Sequence, residues 1–168
     1  CSLADTEKKL ESVLKKSVRR HMVSDVEVGT FLSGGVDSGF IAVSSGAKMA
    51  FTVGFLDGNS GYNEENMARE VARYAHLSYH MHTIGKKEFW DVLPKVMYAL
   101  DEPSGDASAV AMYFLAAEAS RYVKVVLSGE GADELFGGYN IYREPLALQK
   151  VAWIPEKIRR AVSRQAKK

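Results

Sequence analysis

Cysteine, proline and tryptophan are scarce in this 168-residue chain, at one, four and two copies, and such scarcities narrow the function before any motif is read. A single thiol, Cys1, excludes an internal disulfide framework and a multi-cysteine metal site. An N-terminal Cys can act as a nucleophile with its own amine as base. Here Ser2-Leu3-Ala4-Asp5 runs straight into a helical pattern, so Cys1 reads as a boundary residue. No apolar run approaches the roughly 20 residues that span a bilayer, and nothing at the start has the layout of a secretory signal. The default expectation is a cytoplasmic chain with no membrane partner. Charge of one sign is missing too: 22 Lys and Arg against 21 Asp and Glu leave a net +1, too weak a field to imply nucleic acid, although the tail is basic. Nor does Gly-Lys-Ser or Gly-Lys-Thr occur anywhere. That step reaches the terminal phosphates and holds the metal in the common nucleotide loop, so a switch-type or motor-type NTPase is set aside.

What is present is an apolar content of 46%, enough for one core and a single domain. Helical and strand-like segments alternate, which is the α/β signature. Residues 5–21 carry Leu10, Val13, Leu14 and Val18 at helical spacing, with Asp5 or Thr6 available as a cap. Strands are predicted at 26–32, 50–55, 78–84 and 122–127, and helices at 37–45, 63–76, 86–100 and 108–121. The 63–76 helix places Met67, Val71 and Ala75 on one face. In an open parallel sheet the loops leaving the carboxyl ends of strands gather on one edge, so the segments after Leu32, Phe55 and Leu127 should meet.

The segment after Leu32 is Ser33-Gly34-Gly35-Val36-Asp37-Ser38. Adjacent glycines let the backbone turn tightly and present N–H groups, and two serines add hydroxyls beside the positive end of the following helix. This is a phosphate cradle, or else a polar loop and helix cap. Asp37 favours the first reading in one specific form. A carboxylate inside an anion cradle repels phosphate unless a cation lies between, so it predicts a divalent metal, Mg²⁺. The turn resembles the pyrophosphate loop of the ATP pyrophosphatases, which split ATP between the α and β phosphates.

The segment after Leu127 runs from Ser128 through Gly129-Glu130-Gly131-Ala132-Asp133-Glu134-Leu135-Phe136-Gly137-Gly138 to Tyr139, with four glycines and three carboxylates in twelve residues. It permits close backbone approach, and Asp133 supplies a second oxygen ligand beyond Asp37. The plainer alternative is a loop whose acidic residues cap a helix.

Four ordered blocks, Phe31 through Ser38, Phe51-Thr52-Val53-Gly54-Phe55, Tyr62-Asn63-Glu64 with Ala68 and Ala72, and Leu127 through Tyr139, closely resemble the synthetase domain of glutamine-hydrolysing asparagine synthetases, over most of residues 3–145. The resemblance implies a three-layer α/β fold of the adenine nucleotide alpha hydrolase-like (ATP pyrophosphatase) type, a mostly parallel sheet with helices on both faces. It implies that Leu32 and Val53 hold the adenosine through backbone groups and apolar contact, with Ser128 and Gly129 alongside. Ser33, Gly34, Gly35 and Ser38 would hold pyrophosphate, and Asp37 and Asp133 would bind Mg²⁺. Glu130 is implied beside the reacting carboxylate and the incoming ammonia, as a base or an electrostatic guide. The implied reaction is an AMP-forming carbon–nitrogen ligation: the side-chain carboxylate of aspartate attacks the α-phosphorus of ATP, and ammonia displaces AMP to give asparagine. Relatives that close β-lactam rings are expected to carry tyrosine at the Glu130 position. Amidotransferases that act on other carboxylates share the same loops.

The family pattern has a glutaminase domain in front, supplying ammonia, and a synthetase domain that continues past the second loop to a phosphate-facing lysine. Lys150, Lys157, Lys167 and Lys168 are not assignable to that role, so the expectation is a single truncated synthetase domain over residues 1–168. Such a chain should fold and bind nucleotide weakly without making asparagine; a homodimer is left open. Two competing readings are a nucleotide-binding module without chemistry and a tRNA-modifying pyrophosphatase. The near-neutral charge and Glu130 oppose the second. His76, His80 and His82 read as structural or surface residues, and Met67, Met97, Met112, Trp90 and Trp153 as packing residues. The basic run Lys157, Arg159, Arg160, Arg164, Lys167 and Lys168 reads as a solvated helix. In Asp101-Glu102-Pro103-Ser104-Gly105-Asp106 the acidic groups could order neighbouring loops or meet the ligand.

Overall fold

The computed structural model describes residues 2–56, 64–102, 104–106, 108–149 and 153–155, with the backbone alone at 64, 147 and 148. The chain divides into two compact units, residues 1–130 and 131–168. The first holds α1 (Leu3–His21), β1 (Val28–Phe31), α2 (Val36–Ser45), β2 (Met49–Phe55), α3 (Glu64–Tyr74), β3 (Ser78–Ile84), α4 (Lys86–Leu100), α5 (Ser108–Ala119) and β4 (Val125–Leu127). The second holds α6 (Ala132–Phe136), a 3₁₀ turn (Asn140–Arg143) and α7 (Glu144–Gln149).

The four strands form one sheet in the order β3-β2-β1-β4, and every pairing is parallel. Parallel neighbours need crossover connections, usually helices, which cover the sheet on both faces. Side-chain alternation along β2 separates the two faces. Ala50 joins a cluster with Leu32, Ala42, Ala47, Ala68, Ala72 and Leu77, under α2 and α3. Phe51 and Val53 point the other way. Phe51 packs with Ala119 and Val123, and Val53 against Ile84, Val96, Val110 and Phe114, under α4 and α5. Small residues let the first layer sit close, whereas the second is filled by larger ones. The α/β fold expected from the sequence, with helices on both faces of a parallel sheet, is therefore present.

Several expectations are corrected. α1 is capped by Ser2, whose hydroxyl accepts from the Asp5 N–H at 3.2 Å, while the Asp5 carboxylate accepts from the Ser2 N–H at 3.3 Å. Asp5 is thus the return half of a capping box, and the helix begins at Leu3. Val18 is the one buried residue of α1; Leu10 and Val13 are exposed. In α3 the sequence places Met67 inside, yet Met67 is 52% exposed while Ala68 and Ala72 are buried. The helix turns its smallest residues toward the sheet, leaving Val71 and Ala75 at the edge of the contact. Met112, Trp90 and Trp153 are likewise exposed, and Met97 packs under α4 and α5 as expected. β4 is shorter than predicted because residues 120–122 finish α5 as a turn, Tyr122 and Val123 both donating to the Ala119 carbonyl.

Among the described residues no helix is long and apolar enough to cross a membrane. Phe51 is fully buried at the centre of the sheet, so Phe51→Ala should lower the unfolding free energy by about 3–5 kcal/mol, measured by urea denaturation.

Candidate active site

The strand order reverses at β1: the chain steps outward through β2 and β3, then returns to place β4 on the other side of β1. Crevices outside the carboxyl ends of strands at such a reversal are the usual ligand sites of open α/β sheets. Here the two flanking exits carry residues 32–38 and residues 128–130, the first unit's portions of the two glycine-rich motifs.

The first loop is closed from within by Ser38. Its buried hydroxyl accepts from the Ser33 N–H at 3.2 Å and donates to the Gly35 carbonyl at 3.2 Å, with the Ser33 hydroxyl 3.0 Å away. Gly34 takes a left-handed φ of 82°, and Gly35 begins α2 with no side-chain cap on its first-turn amides. The exposed Ser33 hydroxyl accepts from the Gly35 N–H at 3.4 Å, and uncapped amides at a helix start are groups to which an anion can bond. Asp37 is exposed in the first turn of α2, and no ion pair engages it among the described residues.

Leu32 is buried, with its N–H donating to the Phe51 carbonyl at 2.9 Å and its carbonyl accepting from the Thr52 hydroxyl at 2.5 Å. Thr52 was not singled out from the sequence. The available signal was a hydroxyl inside the otherwise apolar run Ala50-Phe51-Thr52-Val53. Val53 directs its half-buried side chain into the layer under α4 and α5.

Gly129 comes onto the first loop directly. A Cβ at this position would lie 2.9 Å from the Ser38 backbone nitrogen and 3.1 Å from the Asp37 carbonyl carbon. Both obstacles are backbone, so only glycine fits without a shift. Ser128 is half-buried and accepts from the Glu130 N–H at 3.1 Å, leaving the Glu130 side chain exposed.

In the second unit, Asp133 stands in the first turn of α6. Gly138 donates its N–H to the Asp133 carbonyl at 2.9 Å, and a side chain on Gly138 would collide with the Asp133 carboxylate.

His80 stacks on Phe51 and lies 4.1 Å, centroid to centroid, from Tyr122. His82 stacks on Phe114 and pairs with Glu88 at 3.0 Å. His76 is exposed, at a φ of 55° after α3. Among the described residues no cluster of three or more His, Cys, Asp or Glu can hold a metal. Mg²⁺ does not require one, since it is commonly held by one or two carboxylates together with substrate phosphates. Asp37, an exposed hard oxygen donor beside the glycine turn, suits that arrangement.

Asp101 ends α4 in a left-handed conformation. Asp106 accepts from the Ser108 hydroxyl at 2.7 Å and the Ser108 N–H at 2.9 Å, at the start of α5. Those bonds, the hydroxyl one first, hold the Asp106 carboxyl below its ordinary value. Tyr62, Asn63, Pro103, Lys150, Lys157, Lys167, Lys168 and the remaining basic residues Arg159, Arg160 and Arg164 lie outside the described residues.

Two outcomes follow from this geometry. Gly129→Ala should cost about 1–3 kcal/mol of stability by overpacking and shift the amide resonances of residues 37–39, read by denaturation and NMR. The Asp106 contribution is complete above the ordinary carboxylate value of 3.8 and is lost as the pH falls through the lowered folded value. The difference in urea midpoint between the chain and Asp106→Ala should therefore be larger at neutral pH than in strong acid.

Comparison with known proteins identifies the family. The asparagine synthase family model matches residues 9–168. The chain is 44% identical over 159 residues to a glutamine-hydrolyzing asparagine synthetase 1 of Bacillus subtilis, covering 91% of this chain and 24% of the relative. It is 31% identical over 143 residues to a glutamine-hydrolyzing asparagine synthetase of Zea mays, covering 77% of this chain and 24% of the relative. The chain thus spans about a quarter of the length of these relatives. With a match over nearly its whole length, on the fold and glycine loops described above, the chain belongs to the asparagine synthase family.

Proposed function

We propose that this chain carries the ATP-activating part of a synthetase that adenylates the side-chain carboxylate of aspartate and passes the acyl group to ammonia. The observation that carries the reading is the close packing of Gly129 on the Ser38 N–H, which joins the loops after β1 and β4 where the strand order reverses. ATP would lie there with its pyrophosphate on Ser33, Gly34, Gly35, Ser38 and the first-turn amides of α2, and with its adenosine near Leu32, Val53, Ser128 and Gly129.

A carboxylate is a poor acyl donor because resonance and negative charge resist a nucleophile. In the first step an aspartate carboxylate oxygen bonds to the α-phosphorus, the α–β phosphoanhydride breaks, and pyrophosphate leaves. In the second, ammonia bonds to the acyl carbon, AMP leaves, and a proton passes to a base, the role assigned to Glu130. The family pattern assigns Mg²⁺ to Asp37 and to Asp133, and the ion would supply Lewis-acid compensation of charge on the departing pyrophosphate. The protein's part is positioning and charge compensation. In the whole protein, ammonia would come from glutamine at a glutaminase domain outside these residues. The residues here form one part of the synthetase domain, which binds Mg·ATP weakly and does not make asparagine alone.

Aspartate-dependent ATP–pyrophosphate exchange, measured on this chain and on a longer one including the rest of the relatives' length, tests the proposal. Exchange in the longer chain alone supports it; exchange in neither favours a binding module without chemistry, and asparagine made from ammonia by this chain alone refutes the division of labour. In the longer chain, Asp37→Asn and Asp133→Asn should each reduce exchange by about 100-fold or more. Glu130→Gln should spare exchange and slow ammonia-dependent asparagine formation by about 10²–10⁴-fold.

A further inference from the structure

Thr52 is 5% exposed in the middle of β2, where an unpaired hydroxyl would be costly. Its hydroxyl donates to the Leu32 carbonyl at 2.5 Å. Leu32 is the first residue beyond β1, and its N–H still makes a rung to the Phe51 carbonyl. As the chain leaves the ladder, the next donor along it is therefore a side chain. The Leu32 carbonyl and the Ser33 N–H belong to one planar peptide group. That N–H donates to the Ser38 hydroxyl at 3.2 Å. The peptide opening the glycine turn is thus clamped at both ends, by the Thr52 hydroxyl on its oxygen and the Ser38 hydroxyl on its N–H. On β3, the Tyr79 hydroxyl donates to the Met81 sulfur at 3.7 Å, and burial, the main influence, pushes its pKa up.

We propose that Thr52 is a positioning residue for the nucleotide: by fixing the plane of the peptide between Leu32 and Ser33, it sets the direction in which the pyrophosphate loop leaves the sheet. The inference rests on the nucleotide reading above, but its geometry can be tested without ligand. Thr52→Val keeps the shape and removes the donor, whereas Thr52→Ser keeps the donor.

Amide hydrogen exchange and Mg·ATP titration of this chain and its variants decide the matter. In Thr52→Val the amides of Ser33 and Gly35 should exchange about tenfold faster and the Kd for Mg·ATP should rise about tenfold, the order expected for one buried hydrogen bond. Exchange in β3 should stay unchanged, and Thr52→Ser should restore both quantities. Loop exchange and affinity equal to the parent in Thr52→Val, or no rescue by serine, overturns the proposal. If the valine variant does not fold, Thr52→Cys, a weak S–H donor, replaces it and should give an intermediate weakening; parent-like behaviour there is equally fatal. Absence of Mg·ATP binding by the parent chain overturns the nucleotide reading instead, and the exchange result then decides the role of Thr52 in the loop by itself.

Discussion

β1 is hydrogen-bonded on both edges, to β2 on one side and β4 on the other, and that double pairing constrains the whole site. A strand held on both sides can leave the sheet only at its end, between the exits of its neighbours. One connection leads outward through β2 and β3 and the other comes back through β4, so no crossover covers the gap between the ends of β1 and β4. The two glycine-rich segments are the exits that border it. Backbone polar groups that lose ladder partners there must find others, and hydroxyls supply them, Thr52 for Leu32 and Ser38 for Ser33 and Gly35.

Satisfying the loop internally leaves a definite set of groups for a ligand. The Ser33 and Ser38 hydroxyls both bond within the loop, to each other and to Gly35, but Ser38 is buried whereas Ser33 and Asp37 are exposed. The glycines divide their work in the same manner. Gly34 provides a left-handed turn, and Gly129 provides clearance for another backbone. A glycine-rich motif is therefore not uniformly a phosphate contact; part of it is space for packing one loop on another.

The contiguous features were legible from the residues in order. A strand, a glycine turn and a helix follow one another within about twenty positions, and β3 and α4 fall at 78–84 and 86–100 as read, because alternation and helical spacing are local patterns. Side-chain placement was less legible. Met67 and Trp90 have the hydrophobicity of core residues, yet Ala68 and Ala72 face the sheet in α3 and Trp90 lies on the outside of α4. Hydrophobicity says a side chain can be buried, whereas the distance between helix and sheet decides which size fits. Asp106 could be read as a ligand or as a loop organiser; its carboxylate bonds locally to Ser108 at the start of α5.

The order of residues was enough to bring together the parts of the first loop, since turn, hydroxyls, carboxylate and helix start are neighbours along the chain and each acts at short range. It was enough, too, for the α/β class, which follows from alternating periodicities. Folding in three dimensions was needed to rank the strands β3-β2-β1-β4, to press Gly129 against Ser38 across about ninety residues, and to give Thr52 its partner twenty positions away. Those relations depend on which strands pair and which faces pack, and such long-range contacts leave no periodic trace in the chain.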